Sequence, residues 1–189
     1  MFRYTLLNHK ESLASLERED DRILYLMQDM REFEPGEKVS AVVSACDSIN
    51  YILEPEDLQA VFFCVSESLK EGGIFIFDIN TPYKYEVLMA DNTIAENRDE
   101  GSFIWDNYYD ADEKINEYDL TLFIKEQSED EDDIYKKFEE THFQRCYEIS
   151  ELKELLEQSG LVFDAVYDAY TDDQVKCDSE KVTVIAHKA

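Results

Sequence analysis

Two short runs constrain this chain more than anything else in it: "VSAVVSA", Val39–Ala45, and "IFIFDI", Ile74–Ile79. The first is β-branched and small, the second apolar at odd and even positions alike. Neither face of such a strand is suited to water, so both runs belong inside a parallel sheet covered on both sides. Between them, Leu58, Val61, Phe62, Val65 and Leu69 form one helical stripe over residues 55–69 that starts at Pro55. Gly72-Gly73 is expected to end that helix. A third apolar run, Ile23–Gln28, precedes these and reads as a strand that breaks off at a carboxylate, Asp29, followed by Met30. Residues 23–79 therefore read strand, strand, helix, strand, an α/β order with at least one right-handed crossover. Leu6, Leu13 and Leu16 place an amphipathic helix over residues 4–17 ahead of it.

The middle of the chain follows a different rule. Residues 101–109, 115–126 and 134–147 alternate aromatic or apolar side chains with polar ones, as Phe103, Trp105, Asn107 and Tyr109 illustrate. That alternation suits antiparallel strands with one covered face. The acidic run "EQSEDEDD" reads as a solvated hairpin tip. Ser150 is expected to cap a helix bearing Leu152, Leu155 and Leu156, and Gly160 to close it. Val162–Tyr170 and Val182–Ala186 would then complete the first sheet as an antiparallel hairpin. The whole, residues 1–189, reads as a single domain in which residues 101–147 are an antiparallel insertion.

Charge limits the partners. The chain carries 45 Asp and Glu against 18 Lys and Arg, a net −27. Such a surface repels phosphate backbones, which argues against nucleic acid as a direct partner. Its first consequence is solubility, and a lesser one is attraction for cationic ligands or basic partners. No apolar run approaches the roughly 20 residues of a membrane span, and the N-terminus lacks the pattern of a signal peptide. Cys46, Cys64, Cys146 and Cys177 are scattered, as expected of reduced, mostly buried thiols in a cytoplasmic protein. With 3 His in the chain, no metal site is expected.

Taken in order, "YLMQDMREF", "VVSACDSINYI", "LKEGGIFIFDINTP" and "HFQRCYEISELKELLEQSGL" resemble the class I S-adenosylmethionine-dependent methyltransferases, in particular small bacterial enzymes with an antiparallel insertion. The resemblance implies a Rossmann-like sheet, S-adenosyl-L-methionine as cofactor and a small-molecule acceptor. It implies that Asp29 takes the adenine amino group while Met30 packs on the ring. Asp29 can equally begin a turn. Cys46 and Asp47 would lie beneath the methionine portion, although Asp47 can also cap the short turn after it. Tyr51 would line the acceptor side or fill core.

On the acceptor side His142 is a candidate general base, with a structural role as the alternative. His142, Gln144 and Cys146 share one strand face and Arg145 the other. Arg145 could meet an acidic substrate or pair with a carboxylate. Trp105 could wall the acceptor pocket, where a cation would find an aromatic face, or be simple core. Methyl transfer demands alignment and exclusion of water more than any particular side chain, because the sulfonium is already activated.

The sequence departs from the family in one respect. Its five glycines, Gly36, Gly72, Gly73, Gly101 and Gly160, include none in a loop of the Gly-x-Gly-x-Gly kind after a first strand. Residues 4–17 match the helix after the family's second strand. The chain is therefore expected to begin inside the fold, to bind the cofactor poorly by itself and to self-associate through exposed strand edges.

Overall fold

The computed structural model describes residues 26–126 and 133–189. The expected helix over 4–17 and residues 23–25 of the first expected strand lie outside the described residues. Two sheets of four strands organise the described chain. The first has the order β1 (Val39–Ser44), β2 (Leu69–Asn80), β8 (Lys181–Lys188) and β7 (Leu161–Asp168). β1 and β2 are parallel and are joined through α1 (Pro55–Ser68), so the α/β crossover is present. β8 runs antiparallel to both β2 and β7, the expected terminal hairpin. Before β7 lies α2 (Ile149–Gln158).

The core of this part sits on one side of the sheet. Leu58, Val61, Phe62 and Val65 of α1 and Leu152 and Leu156 of α2 are buried against Phe75, Phe77, Ile79 and Val184. Phe62 meets Phe75 and Phe77 at centroid distances of 5.9 and 5.5 Å. Each such side chain contributes about 1.5–3 kcal/mol on burial. The expectation that β1 is covered on both faces is not met among the described residues, where Val43 is 54% exposed and Ile74 beside it 44%. Both helices lie on the other side, so among the described residues these positions of β1 and β2 have no helix to pack on. Among the described residues β1 is also an edge strand.

The second sheet is a meander of β3 (Thr93–Arg98), β4 (Gly101–Asp110), β5 (Ile115–Glu126) and β6 (Ile134–Arg145). Three of these strands match the expected insertion. β3 was not visible in the sequence, because "TIAENR" is exposed at every position and carries no alternation. Gly101 is needed here for space: a Cβ would stand 2.6 Å from the carbonyl oxygen of Phe123 on the neighbouring strand.

Several local expectations are corrected. Leu26 to Asp29 form no strand. Instead the Asp29 carboxylate accepts from the Arg31 backbone N–H at 2.9 Å, and the Asp29 carbonyl accepts from Glu32 at 3.2 Å. This side-chain-to-backbone bonding offers the chain a turn in place of a ladder. Gly72-Gly73 does not end α1, which stops at Ser68. Val39 pairs with Leu69 and Ala41 already with Ile74, so the glycines serve an irregular stretch of β2, with Gly72 at φ +69°. Glu148, not Ser150, occupies the N-cap of α2, and Ser150 lies in its first turn. Of the four cysteines only Cys146 is buried, while Cys46 and Cys177 are exposed. No helix among the described residues is long and apolar enough to cross a membrane.

Candidate functional site

The parallel pair β1–β2 delivers two loops to one end of the sheet, its carboxyl edge. Cys46 and Asp47 follow β1, and both have left-handed backbones, at φ 62° and 49°. Two consecutive non-glycine residues in that region store strain that the surroundings must hold in place, which is common at ligand sites. The hold is visible. The Asp47 backbone N–H donates to the Asp78 carboxylate at 3.1 Å. The Asp47 carboxylate accepts from Lys181 Nζ at 2.8 Å and from Gln144 Nε2 at 2.7 Å. Lys181 also donates to Asp78 at 3.0 Å, and the Tyr170 hydroxyl donates to the same oxygen at 2.5 Å. β1, β2, β6, β8 and the loop after β7 thus meet on one polar cluster.

Its electrostatics follow from burial and pairing. Burial pushes the Asp47 carboxyl up, but the hydrogen bonds from Lys181 and Gln144 outweigh it and hold Asp47 below the usual carboxylate range. Burial lowers Lys181, and its bonds to Asp47 and Asp78 reverse this, leaving it well above an ordinary lysine. Lys84 Nζ donates to Asn80 Oδ1 at 3.0 Å, and burial depresses its pKa. Around it, the buried side chains of Asn80, Tyr85 and Gln144 bond one another at 3.1–3.5 Å. Asn50 Oδ1 accepts from the Asn80 backbone N–H at 3.0 Å, fixing the short turn Ser48–Tyr51 against the end of β2.

Next to the cluster lies an aromatic wall. The Tyr51 and Tyr118 hydroxyls share a short hydrogen bond. The His142 ring stacks on Tyr118 at 4.7 Å and 14°, the pair facing each other across β5 and β6. Tyr51 meets His142 edge-on at 5.9 Å, and Trp105 lies 5.0 Å from Tyr118. The Trp105 indole Nε1 is buried with no hydrogen-bond partner among the described residues. Tyr51, His142 and Trp105 are therefore in one place, together with Asp47, to which Gln144 of the same strand face as His142 is bonded.

Other candidates stand apart. Arg145 points to the opposite face of β6, where it pairs with Glu151 at 3.8 Å and lies over the Tyr147 ring. Asp29 is bound by the Arg31 guanidinium at 2.7 Å, and Arg31 in turn reaches Asp57 of α1 at 2.9 Å. The Arg31 hydrogen bonds lower the Asp29 carboxyl to about 2. Met30 is partly buried against the main core. No hydrogen bond or ion pair joins Asp29 or Met30 to the Asp47 cluster among the described residues. Sequence reasoning missed Lys181, Gln144 as a partner, Tyr85, Tyr118 and Lys84. The period-two face shared by His142 and Gln144, with Asn116 and Tyr118 on the neighbouring strand, was the one signal that could have found part of this group. Among the described residues no group of three or more His, Cys, Asp and Glu is placed to hold a metal ion.

A parallel β–α–β unit with strained, charged loops at its carboxyl edge defines a Rossmann-like ligand-binding fold, and the antiparallel sheet adds a wall beside the ligand edge. No protein-family model matches the chain. "Putative methyltransferase YqeM" of Bacillus subtilis (strain 168) is 32% identical over 168 residues, which cover 88% of this chain and 66% of that protein. "Putative methyltransferase GWCH70_2453" of Geobacillus sp. (strain WCH70) is 31% identical over 175 residues, covering 93% of this chain and 69% of that protein. The crystal structure of an S-adenosylmethionine-dependent methyltransferase from Clostridium acetobutylicum ATCC 824 superposes with a TM-score of 0.79 at 28% identity, covering 87% of this chain and 64% of that one. The chain belongs to the S-adenosylmethionine-dependent methyltransferase family. It spans about two thirds of the length of these relatives, 66% of the Bacillus protein and 64% of the Clostridium chain.

Proposed function

We propose that this chain takes part in methyl transfer from S-adenosyl-L-methionine to a small-molecule acceptor. The observation that carries the reading is the strained Cys46-Asp47 turn, tied by Lys181 and Asp78 to the carboxyl edge of the parallel strands. The cofactor's methionine portion is cationic at its amino group and sulfonium, which suits Asp47. Asp29 and Met30 would take the adenine, with Arg31 giving up its hold on the Asp29 carboxylate. The acceptor would stand against Tyr51, Trp105 and His142, where the rings exclude water and align the nucleophile with the methyl group. The cofactor supplies the activated methyl. The chain's own residues bind, orient and keep the site dry. A relative 34% identical over 67 residues is named "dTDP-3-amino-3,4,6-trideoxy-alpha-D-glucopyranose N,N-dimethyltransferase", which supports an acceptor of small-molecule size.

Saturation-transfer NMR with S-adenosylhomocysteine tests this, because it detects ligands of millimolar affinity as well as tight ones. Transfer to the ligand's methionine-end protons is expected in the 189-residue chain and is expected to drop in Asp47→Asn. Absence of any transfer would point to a methyltransferase-like chain that holds no cofactor, and transfer indifferent to Asp47 would remove Asp47 from the site.

A further inference from the structure

We propose that the methyl acceptor is a protonated amine, held against the rings of Trp105 and Tyr51 and deprotonated at Nδ1 of His142, whose imidazole Glu140 orients. This deepens the reading above and depends on it. Three observations meet at the aromatic wall. First, four rings lie there in a chain of contacts, Tyr51 to His142 at 5.9 Å, His142 to Tyr118 at 4.7 Å and Tyr118 to Trp105 at 5.0 Å, the kind of environment that attracts organic cations.

Second, the local charge is negative where the rings are. Asp47, Asp78 and Glu140 contribute three carboxylates, and Lys84 and Lys181 two ammonium groups. Lys181 is spent on Asp47 and Asp78, and Lys84 donates to Asn80. The unbalanced carboxylate is Glu140, the one beside the rings. Burial raises the Tyr51 and Tyr118 hydroxyls, and the nearby charges of Asp47 and Glu140 raise them further. A net charge of −27 extends that attraction outward.

Third, the imidazole is set for one direction of proton transfer. Glu140 Oε2 lies 3.1 Å from His142 Nε2. A carboxylate only accepts, so in the neutral ring Nε2 carries the hydrogen and Nδ1 carries the lone pair. Nδ1 has no hydrogen-bond partner among the described residues. Glu140 acts through His142 and is a positioning residue. In the step, an N–H proton of the ammonium passes to Nδ1. The freed nitrogen lone pair forms the N–C bond to the methyl carbon of S-adenosylmethionine. The C–S bond breaks with its pair returning to sulfur, leaving neutral thioether and a methylated ammonium.

Matched probes separate this from the cofactor reading. Cyclohexylamine, cyclohexanol and cyclohexanecarboxylate share one shape and differ in charge. Saturation transfer is expected for the amine at a Kd at least tenfold below that of the alcohol, with the carboxylate weaker still. Glu140→Gln should weaken the amine at least threefold while keeping the Nε2–H tautomer, read from the 15N shifts of His142. Glu140→Ala should lose both. Trp105→Leu should weaken the amine and leave S-adenosylhomocysteine transfer unchanged, a check on any variant that folds poorly. Equal binding of amine and alcohol, preference for the carboxylate, or a tautomer indifferent to Glu140→Ala would overturn the proposal. Failure of S-adenosylhomocysteine to bind, with amine preference intact, would instead overturn the cofactor reading.

Discussion

Asp29 and Asp47 arise from the same kind of sequence signal, a carboxylate placed just after an apolar run, yet they occupy opposite physical situations. Asp47 sits at the carboxyl edge of a formed parallel pair and is tied to three strands, β2, β6 and β8, by contacts 31 to 134 residues apart in sequence. Asp29 is tied to Arg31, two residues away, with side chains 38% and 47% exposed. Both carboxyls are held below their usual range. For Asp29 the cause is local, a guanidinium and a backbone N–H of the same turn. For Asp47 hydrogen bonds must overcome a burial penalty. A lowered carboxyl alone therefore does not mark a ligand site. What distinguishes Asp47 is that distant elements converge on it.

The largest effect expected from this contrast belongs to the group beneath Asp47. Asp78 is 3% exposed at its side chain and receives Lys181, Tyr170 and the Asp47 N–H. Asp78→Ala should cost about 3–5 kcal/mol of stability, the scale of breaking a buried ion pair and leaving its partners unmatched. Urea unfolding measures it, and a loss under about 1 kcal/mol would mean that the cluster is wet and loosely held.

On the cofactor, the two carboxylates should separate by position. In any cofactor-competent form, Asp29→Ala should weaken S-adenosylhomocysteine by about 1–3 kcal/mol, with saturation transfer lost mainly from the adenine protons. Asp47→Asn should produce a loss of similar size confined to the methionine end. Unchanged adenine contacts in Asp29→Ala would leave Asp29 as a turn residue only.

A pH series sharpens the electrostatic side. The Asp47 carboxyl is depressed on folding, so its contribution is present above the unfolded value, about 3.9, and is lost as pH falls through the lower folded value. Lys181 is raised, so its contribution is present below about 10.4 and is lost as pH rises past that. The stability difference between wild type and Asp47→Asn should then be flat from pH 6 to 8 and shrink below about pH 4, followed by urea midpoints.

The smallest effect is reserved for the exposed pair. Asp29→Ala should change stability by less than about 1 kcal/mol, because both partners are solvated and screened. Thermal unfolding that moved as far for Asp29→Ala as for Asp78→Ala would erase the distinction between the two carboxylates.

Much of the architecture was legible in the sequence, and for identifiable reasons. The helical stripe from Leu58 to Val65 lies on the core because its period is that of a helix. The alternation through Trp105, Asn107 and Tyr109, and again through Tyr118 and Leu120, appears as paired antiparallel strands because the pleat has period two. Both signals are local. β3 has no such period, and the glycine pair was assigned to a helix end because the same residues serve helix stops and irregular strands alike.

The family relationship lay in the order of "QDMREF", "SACDS", "EGGIFIFD" and the segment around His142, and so did Tyr51, Asp47, Trp105 and His142 as candidates. Their chemistry depends on partners that order cannot supply. Lys181 is 134 residues from Asp47, Gln144 is 97, and Tyr118 is 67 from Tyr51. Tertiary structure alone decided that Lys181 neutralises Asp47, that Gln144 reaches the same carboxylate, and that the Tyr118 hydroxyl meets that of Tyr51. The physical reason is the same in each case. A side chain's period fixes which face it is on, but only the closing of long loops fixes which charge or ring it meets there.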